Sequence, residues 1–363
     1  MKHINTYITE YIIKKKLDKP IDSEDHYKYF PKTREELTKN IKECFDNKIY
    51  NFNCIDTSKI TDMSNLFYNK NFKNINFDVS DWNVSNVENM SNMFDGCKCF
   101  NCDLSGWNVS KVENMTQMFD SCEKFDCDLS NWDISKVKYT DYMFYDCTSF
   151  TGKGLENWNM SNVEVSSFMF HSCINFDCDL SKWDVSNIIY MDSMFEHCYK
   201  FKGKGLENWN TSKSIIMDKL FNSCIKLNCD LSKWDISKVQ RISRMFFGCE
   251  NFDCNLSKWN ASNITDISFM FDECKKFKGK GLENWNVNNV TKAMSLFANC
   301  ENFDCDLSNW NVSKIENMSG MFFYCTKFKG IGLEKWNVKR VKDMSFMFDE
   351  CTSIKKLPTW YKK

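Results

Sequence analysis

The chain has 363 residues, is 42% hydrophobic and carries 31 Phe and 12 Trp, enough apolar material to exclude a disordered polymer. Lys and Arg total 48 against 49 Asp and Glu, and arginine occurs only at Arg34, Arg241, Arg244 and Arg340. With no net field and no arginine cluster, neither nucleic acid nor an anionic membrane surface is an expected partner.

Residues 1–28 read as an N-terminal extension. Their opening, MKHINTYITEYIIKKKLDKP, is broken by Glu10 and by Lys14, Lys15 and Lys16. This is neither a secretory signal nor a membrane span, so no membrane insertion is expected. The expected location is cytoplasmic, in a bacterial or host cell, or within a virion. Residues 29–53 form a helical cap: Thr33 and Glu36 stand at capping-box spacing, and Leu37, Ile41 and Cys44 fall on one helical face.

From 54 to 355 the chain repeats itself. Trp82, Trp107, Trp132, Trp158, Trp183, Trp209, Trp234, Trp259, Trp285, Trp310 and Trp336 recur every 25 or 26 residues, and Trp360 closes the series. Phe follows each of the first eleven by twelve positions, from Phe94 to Phe348, and Cys by fifteen, from Cys97 to Cys351. Strict apolar columns with polar drift between them predict a solenoid with one layer per repeat. Within a layer, the alternation of Phe125, Cys127 and Leu129 with Asp126, Asp128 and Ser130 predicts a strand. A second extended piece is expected around SKVENM (110–115), then a helical turn capped by Thr116 and holding Met118, Phe119 and Cys122. Parallel pairing would join the layers, with right-handed crossovers. Four layers carry one extra residue in GKGLENW or GIGLEKW, where Gly suggests a bulge that bends the stack. Residues 356–363, with Pro358, form a C-terminal cap or tail.

Little in this pattern suggests chemistry. Most of the 20 cysteines repeat in two columns, as buried thiols would in a reducing compartment. The one tight cluster, Cys97, Cys99 and Cys102, borrows two ladder positions, so no metal site is expected there. Asn-x-Ser/Thr triplets such as those at Asn108, Asn159 and Asn210 look like turn chemistry, not glycan acceptors. Asp pairs such as Asp126 with Asp128, Asp177 with Asp179 and Asp304 with Asp306 could line up for calcium. Interleaved Lys153, Lys204 and Lys280 favour a solvated mixed face instead. Four histidines and evenly repeated carboxylates offer no catalytic set. No enzyme activity and no cofactor are expected.

Function should then reside where the repeat departs from itself. The residue seven after Trp is polar in most layers, but it is Tyr139, Val165, Tyr190 and Ile216 in four successive ones. Ile189 and Ile215 precede two of these, Tyr142 and Phe168 follow close by, and the inward Met is replaced by Thr140 and Ser166. Three readings are open: a one-residue slip that turns the apolar groups inward and Thr140 and Ser166 out, an exposed patch for a protein partner, or neutral drift.

The pattern W-[DN]-V-S-x-V-x-x-M-x-x-M-F-x-x-C-x-x-F, as in Trp107 to Phe125, closely resembles the repeat of BspA-like leucine-rich-repeat surface proteins and Mycoplasma-type lipoproteins. The resemblance spans residues 29–355, including KYFPKTREELTKNIKE and IDTSKITDMSNLF, and differs in placing Cys, as at Cys127, where Gln is expected. It implies a leucine-rich-repeat-like solenoid. It also implies a surface adhesin that binds host proteins, with relatives in phage and large-virus genomes. The expected function is a non-enzymatic protein-binding scaffold, phage- or virus-encoded, with the patch as partner site. The alternatives are a self-associating virion component and a secreted cell-surface adhesin.

Overall fold

The computed structural model describes residues 27–68 and 72–362; most of the expected extension, 1–28, lies outside them. Helix α1, Arg34–Asp46, starts as its sequence requires: Thr33 Oγ1 accepts from the Glu36 N–H, and the Glu36 carboxylate accepts from the Lys32 N–H at 2.7 Å. Its buried residues are Leu37, Ile41 and Cys44. Arg34 Nε donates to the Ser64 carbonyl at 2.7 Å, at a position where later layers receive a bond from the layer before. Among the described residues no helix is long and apolar enough to cross a membrane.

The remainder is a stack of layers whose backbone bonds follow one rule. In the layer of Trp107, the N–H groups of Met115, Gln117, Phe119 and Ser121 donate forward to the carbonyls of Tyr139, Asp141, Met143 and Tyr145. The intervening N–H groups of Met118, Asp120 and Cys122 donate back three residues within their own layer. This alternation needs a left-handed residue every fourth position, at Gln117 (φ 54°) and Ser121 (φ 57°), and corresponding residues repeat it up the stack.

Two expected elements are therefore corrected. Met118, Phe119 and Cys122 sit on successive i→i+3 turns, not on a helix. The FDCDLSNW segment is not a strand. Among the described residues parallel pairing is limited to single bridges, with Tyr29 to Ile55 and Asn51 to Asp78 at the cap. From Asp62 onward there is one bridge per pair of adjacent layers, in the column seven after Trp: Asn89 to Asn114, Asn114 to Tyr139, Tyr139 to Val165 and so on to Asp343. Nor is there a bulge in the longer layers. Their extra residue is taken up by a left-handed glycine and a 3₁₀ turn, as at Gly154 (φ 89°) before Leu155–Asn157.

Three side-chain columns, beside those of Val, Met, Leu and a second Phe, run the length of the core. Phe rings stack from Phe67 to Phe348 with centroids 5.4–5.8 Å apart. Every indole N–H donates to a carbonyl of the preceding layer at 2.7–3.3 Å, and Trp360 continues the column by donating to Leu333. The ladder thiols, expected to act as small hydrophobes, are also donors. Each reaches the Phe carbonyl of the preceding layer, as Cys147 does at Phe119 (3.0 Å) and Cys173 at Phe144 (3.0 Å).

The polar surface is bonded as its turns dictate. Asn108, Asn159 and Asn210 accept from the N–H two residues on. Asp128 and Asp179 accept likewise from Ser130 and Ser181 and pair with Lys153 and Lys204 of the next layer at 3.2 and 2.7 Å. Such exposed pairs add ~0–1 kcal/mol each.

Two measurements probe this architecture. A Cβ on Gly205 would fall 2.1 Å from the Ser181 nitrogen at a φ of 94°, whereas one on Gly106 meets nothing within 4 Å. Gly205→Ala should cost about 2–5 kcal/mol in urea unfolding and Gly106→Ala less than about 0.5. Burial raises the ladder thiols, while the hydrogen bond from the neighbouring Cys44 thiol, aided by Lys28, lowers Cys54 to about 7. Native-state iodoacetamide labelling should then accelerate at Cys54 as pH rises through about 7, with ladder cysteines protected until unfolding; early labelling of Cys147 or Cys173 would contradict this packing.

Candidate functional site

The bridge column runs without interruption through Tyr139, Val165, Tyr190 and Ile216, so no register slip occurs. Thr140 and Ser166 stay inward, fully buried. Their hydroxyls share a hydrogen bond of 2.9 Å, and Thr140 also donates to the Val165 carbonyl at 3.2 Å. The pair replaces two methionines without leaving a polar atom unsatisfied. Tyr139 and Tyr190 are 39% and 40% exposed, and Tyr142, Val165, Phe168, Ile189, Ile215 and Ile216 are half-buried. All eight residues singled out by the sequence lie on the outside of four adjacent layers.

These side chains give up a local bond. In six other layers an Asp or Asn at the bridge accepts from the N–H two residues on, at 2.9–3.0 Å: Asp62, Asn89, Asn114, Asp266, Asn317 and Asp343. Tyr139, Val165, Tyr190 and Ile216 cannot, and each such bond is worth about 0.5–1.5 kcal/mol.

Tyr142 stacks on Phe168 at 4.6 Å, both in left-handed backbone at φ 57° and 59°. Tyr145 lies beside Tyr142 and stacks on His171 at 4.4 Å. Toward the C-terminus the patch meets a charged recess of about 370 Å³, lined among others by Phe168, Ile216, Asp218, Arg241 and Arg244. There Arg241 pairs with Asp218 at 2.6 Å, yet burial raises the Asp218 pKa above its usual value. Arg244 lies over the Phe269 ring.

The sequence reading missed a second cluster at the edge of this patch: His171, Glu196 and His197. His171 and Glu196 both stand thirteen after their Trp in adjacent layers, and comparison of that column would have paired them. Burial lowers the His171 pKa against the opposing pull of Glu196.

The Thr140–Ser166 bond can be measured directly. A double-mutant cycle with Thr140→Val and Ser166→Ala should give a coupling of about 1 kcal/mol in urea unfolding. Zero coupling would mean that the two hydroxyls do not pair.

The family described as "Mycoplasma protein of unknown function, DUF285" matches residues 35–155, 124–205, 141–255, 191–281 and 242–361. A search of curated proteins gives no match. Among solved structures, a leucine-rich repeat protein from Eubacterium ventriosum ATCC 27560 aligns at 13% identity and a TM-score of 0.42, covering 90% of this chain and 89% of that one. The TLR13–ssRNA13 complex aligns at 12% identity and a TM-score of 0.25, over 89% of this chain and 48% of that one. The family matches overlap along nearly all of the repeat array, and the chain belongs to the DUF285 family of Mycoplasma proteins.

Proposed function

We propose that this protein is a BspA-like, non-enzymatic scaffold that binds a protein partner across the patch from Tyr139 to Ile216. One observation carries the reading: four consecutive layers place apolar groups outward at the bridge position while their inward positions remain filled and bonded. The core does not need these side chains, and two of them are tyrosines about 40% exposed. Rigid, amphipathic tyrosine flanked by aliphatic groups suits a contact surface of low entropy cost. The partner surface that fits presents apolar and aromatic side chains.

The ladder thiols support a reducing location, cytoplasmic or within a virion, because each is used as a donor in its S–H form. A phage- or virus-encoded origin belongs to the same proposal.

The test compares wild type with Tyr139→Lys/Tyr190→Lys in capture from a lysate of the source organism. Both side chains project outward, so the thermal midpoint should stay within about 2 °C. A partner held by wild type and released by the variant is the expected result. Equal capture by both would move the site elsewhere on the stack. Absence of capture together with a sedimentation coefficient that grows with concentration would replace this reading with self-association.

A further inference from the structure

At the edge of the aromatic run, the stack assembles two of the chain's four histidines around one buried carboxylate. One ligand atom from each of His171, Glu196 and His197 lies within 4.8 Å of the others. Glu196 is only 4% exposed. Its Oε1 accepts from Asn222 Nδ2 at 2.8 Å and lies 3.6 Å from Lys219 Nζ. Its Oε2 is shielded from solvent and has no hydrogen-bond partner; neither has the buried Nδ1 of His197. A carboxylate oxygen in that state costs more than any neutral polar group.

The distances indicate what would relieve it. His171 Nε2 stands 3.6 Å from Glu196 Oε2, and His197 Nε2 stands 3.8 Å from Oε1. Both are too long for hydrogen bonds. Around a tetrahedral ion with bonds of ~2.0–2.1 Å, neighbouring ligands stand about 3.3–3.4 Å apart. The three ligand atoms lie within 4.8 Å of one another, so the two rings and one Glu196 oxygen would converge by at most about 1.5 Å to close the site. The outer contacts are in place: Ser172 Oγ lies 3.0 Å from His171 Nδ1, Tyr145 stacks on the same ring at 4.4 Å, and Asn222 holds Glu196. Partners of this kind fix ring orientation and carboxylate rotamer in metal sites. Lys219 alone does not account for the geometry, since it approaches Oε1 and leaves Oε2 bare.

We propose that His171, Glu196 and His197 bind a divalent transition-metal ion of the zinc type, with a further coordination position open to solvent. Two imidazoles and one carboxylate match such an ion better than magnesium or calcium, which prefer all-oxygen sets.

The probe is cobalt(II), added to reduced protein carrying His3→Gln and His26→Gln, so that His171 and His197 are the only histidines. Expected are one equivalent bound with visible d–d bands, no thiolate-to-cobalt charge transfer in the near ultraviolet, and displacement by zinc(II). Zinc should also shift the ring-nitrogen resonances of both histidines. Glu196→Gln, which keeps the size of the side chain, should lose the spectrum. Failure of the parent to bind, a thiolate band, unshifted ring nitrogens or an unchanged spectrum in Glu196→Gln would each overturn the site; the first three need no variant of the site to fold.

Discussion

The structure depends on the alternation of backbone N–H direction along each layer. Even positions counted from Trp, eight to fourteen, donate to the next layer, and odd positions from eleven to fifteen close turns within their own. Inserting one residue in this segment would exchange the two sets and strand buried donors and acceptors together. The segment therefore has constant length in every layer, and the 25-or-26 variation falls elsewhere, between the apolar residue eighteen after one Trp, Phe in most layers, and the next Trp. There Gly154, Gly205, Gly281 and Gly332 meet the backbone of the preceding layer closely enough that a Cβ would lie within 2.1–2.5 Å of it.

The same rule explains two columns that hydrophobicity alone does not. A buried carbonyl has two lone pairs, and the turn fills only one. The Phe119 carbonyl receives the Cys122 N–H of its own layer and the Cys147 thiol of the next; the Leu129 carbonyl receives the Trp132 N–H and the Trp158 indole. Phe would fill the Trp position and Ala the Cys position, but neither could donate. Burial raises the ladder thiols, as at Cys122 and Cys173, and so keeps them in the protonated form that donates.

Much of this was legible in the sequence, because column spacing does not depend on local conformation: the layers, the Trp, Phe and Cys ladders, the cap box of Thr33 and Glu36, and the position of the departing layers, though not which way their side chains face. Local conformation was harder to read. Phe125, Cys127 and Leu129 alternate as in a strand, yet the segment forms no strand ladder; its Leu129 N–H donates singly to the Lys153 carbonyl of the next layer. Met118, Phe119 and Cys122 have helical spacing because a chain of i→i+3 turns also returns side chains to one side every three or four residues. The histidine cluster was not a repeating signal: from Asp120 its column runs Tyr145, His171, Glu196, Asn222, so only a layer-by-layer comparison of that column would have set His171 beside Glu196.

The departures from the repeat gain weight from their position. Tyr142 and Phe168, like Phe269 and Phe346 in the same column, occupy left-handed backbone, where a bulky residue costs on the order of 1 kcal/mol. The four layers of the patch, like those of Arg241 and Lys292, forgo a turn-capping bond of similar size. Fold stability offers no compensation, since Thr140 and Ser166 only restore what the lost methionines supplied. A stack can carry such losses because each layer is held by its neighbours on both sides. Neutral drift would scatter them along eleven layers and between inward and outward columns. The apolar residues at the bridge position, Tyr139, Val165, Tyr190 and Ile216, are contiguous and face outward, and they adjoin the place among the described residues where two histidines flank a buried carboxylate with one unpartnered oxygen. The exchange of local stability for surface chemistry in one region is what the proposed binding function would require there.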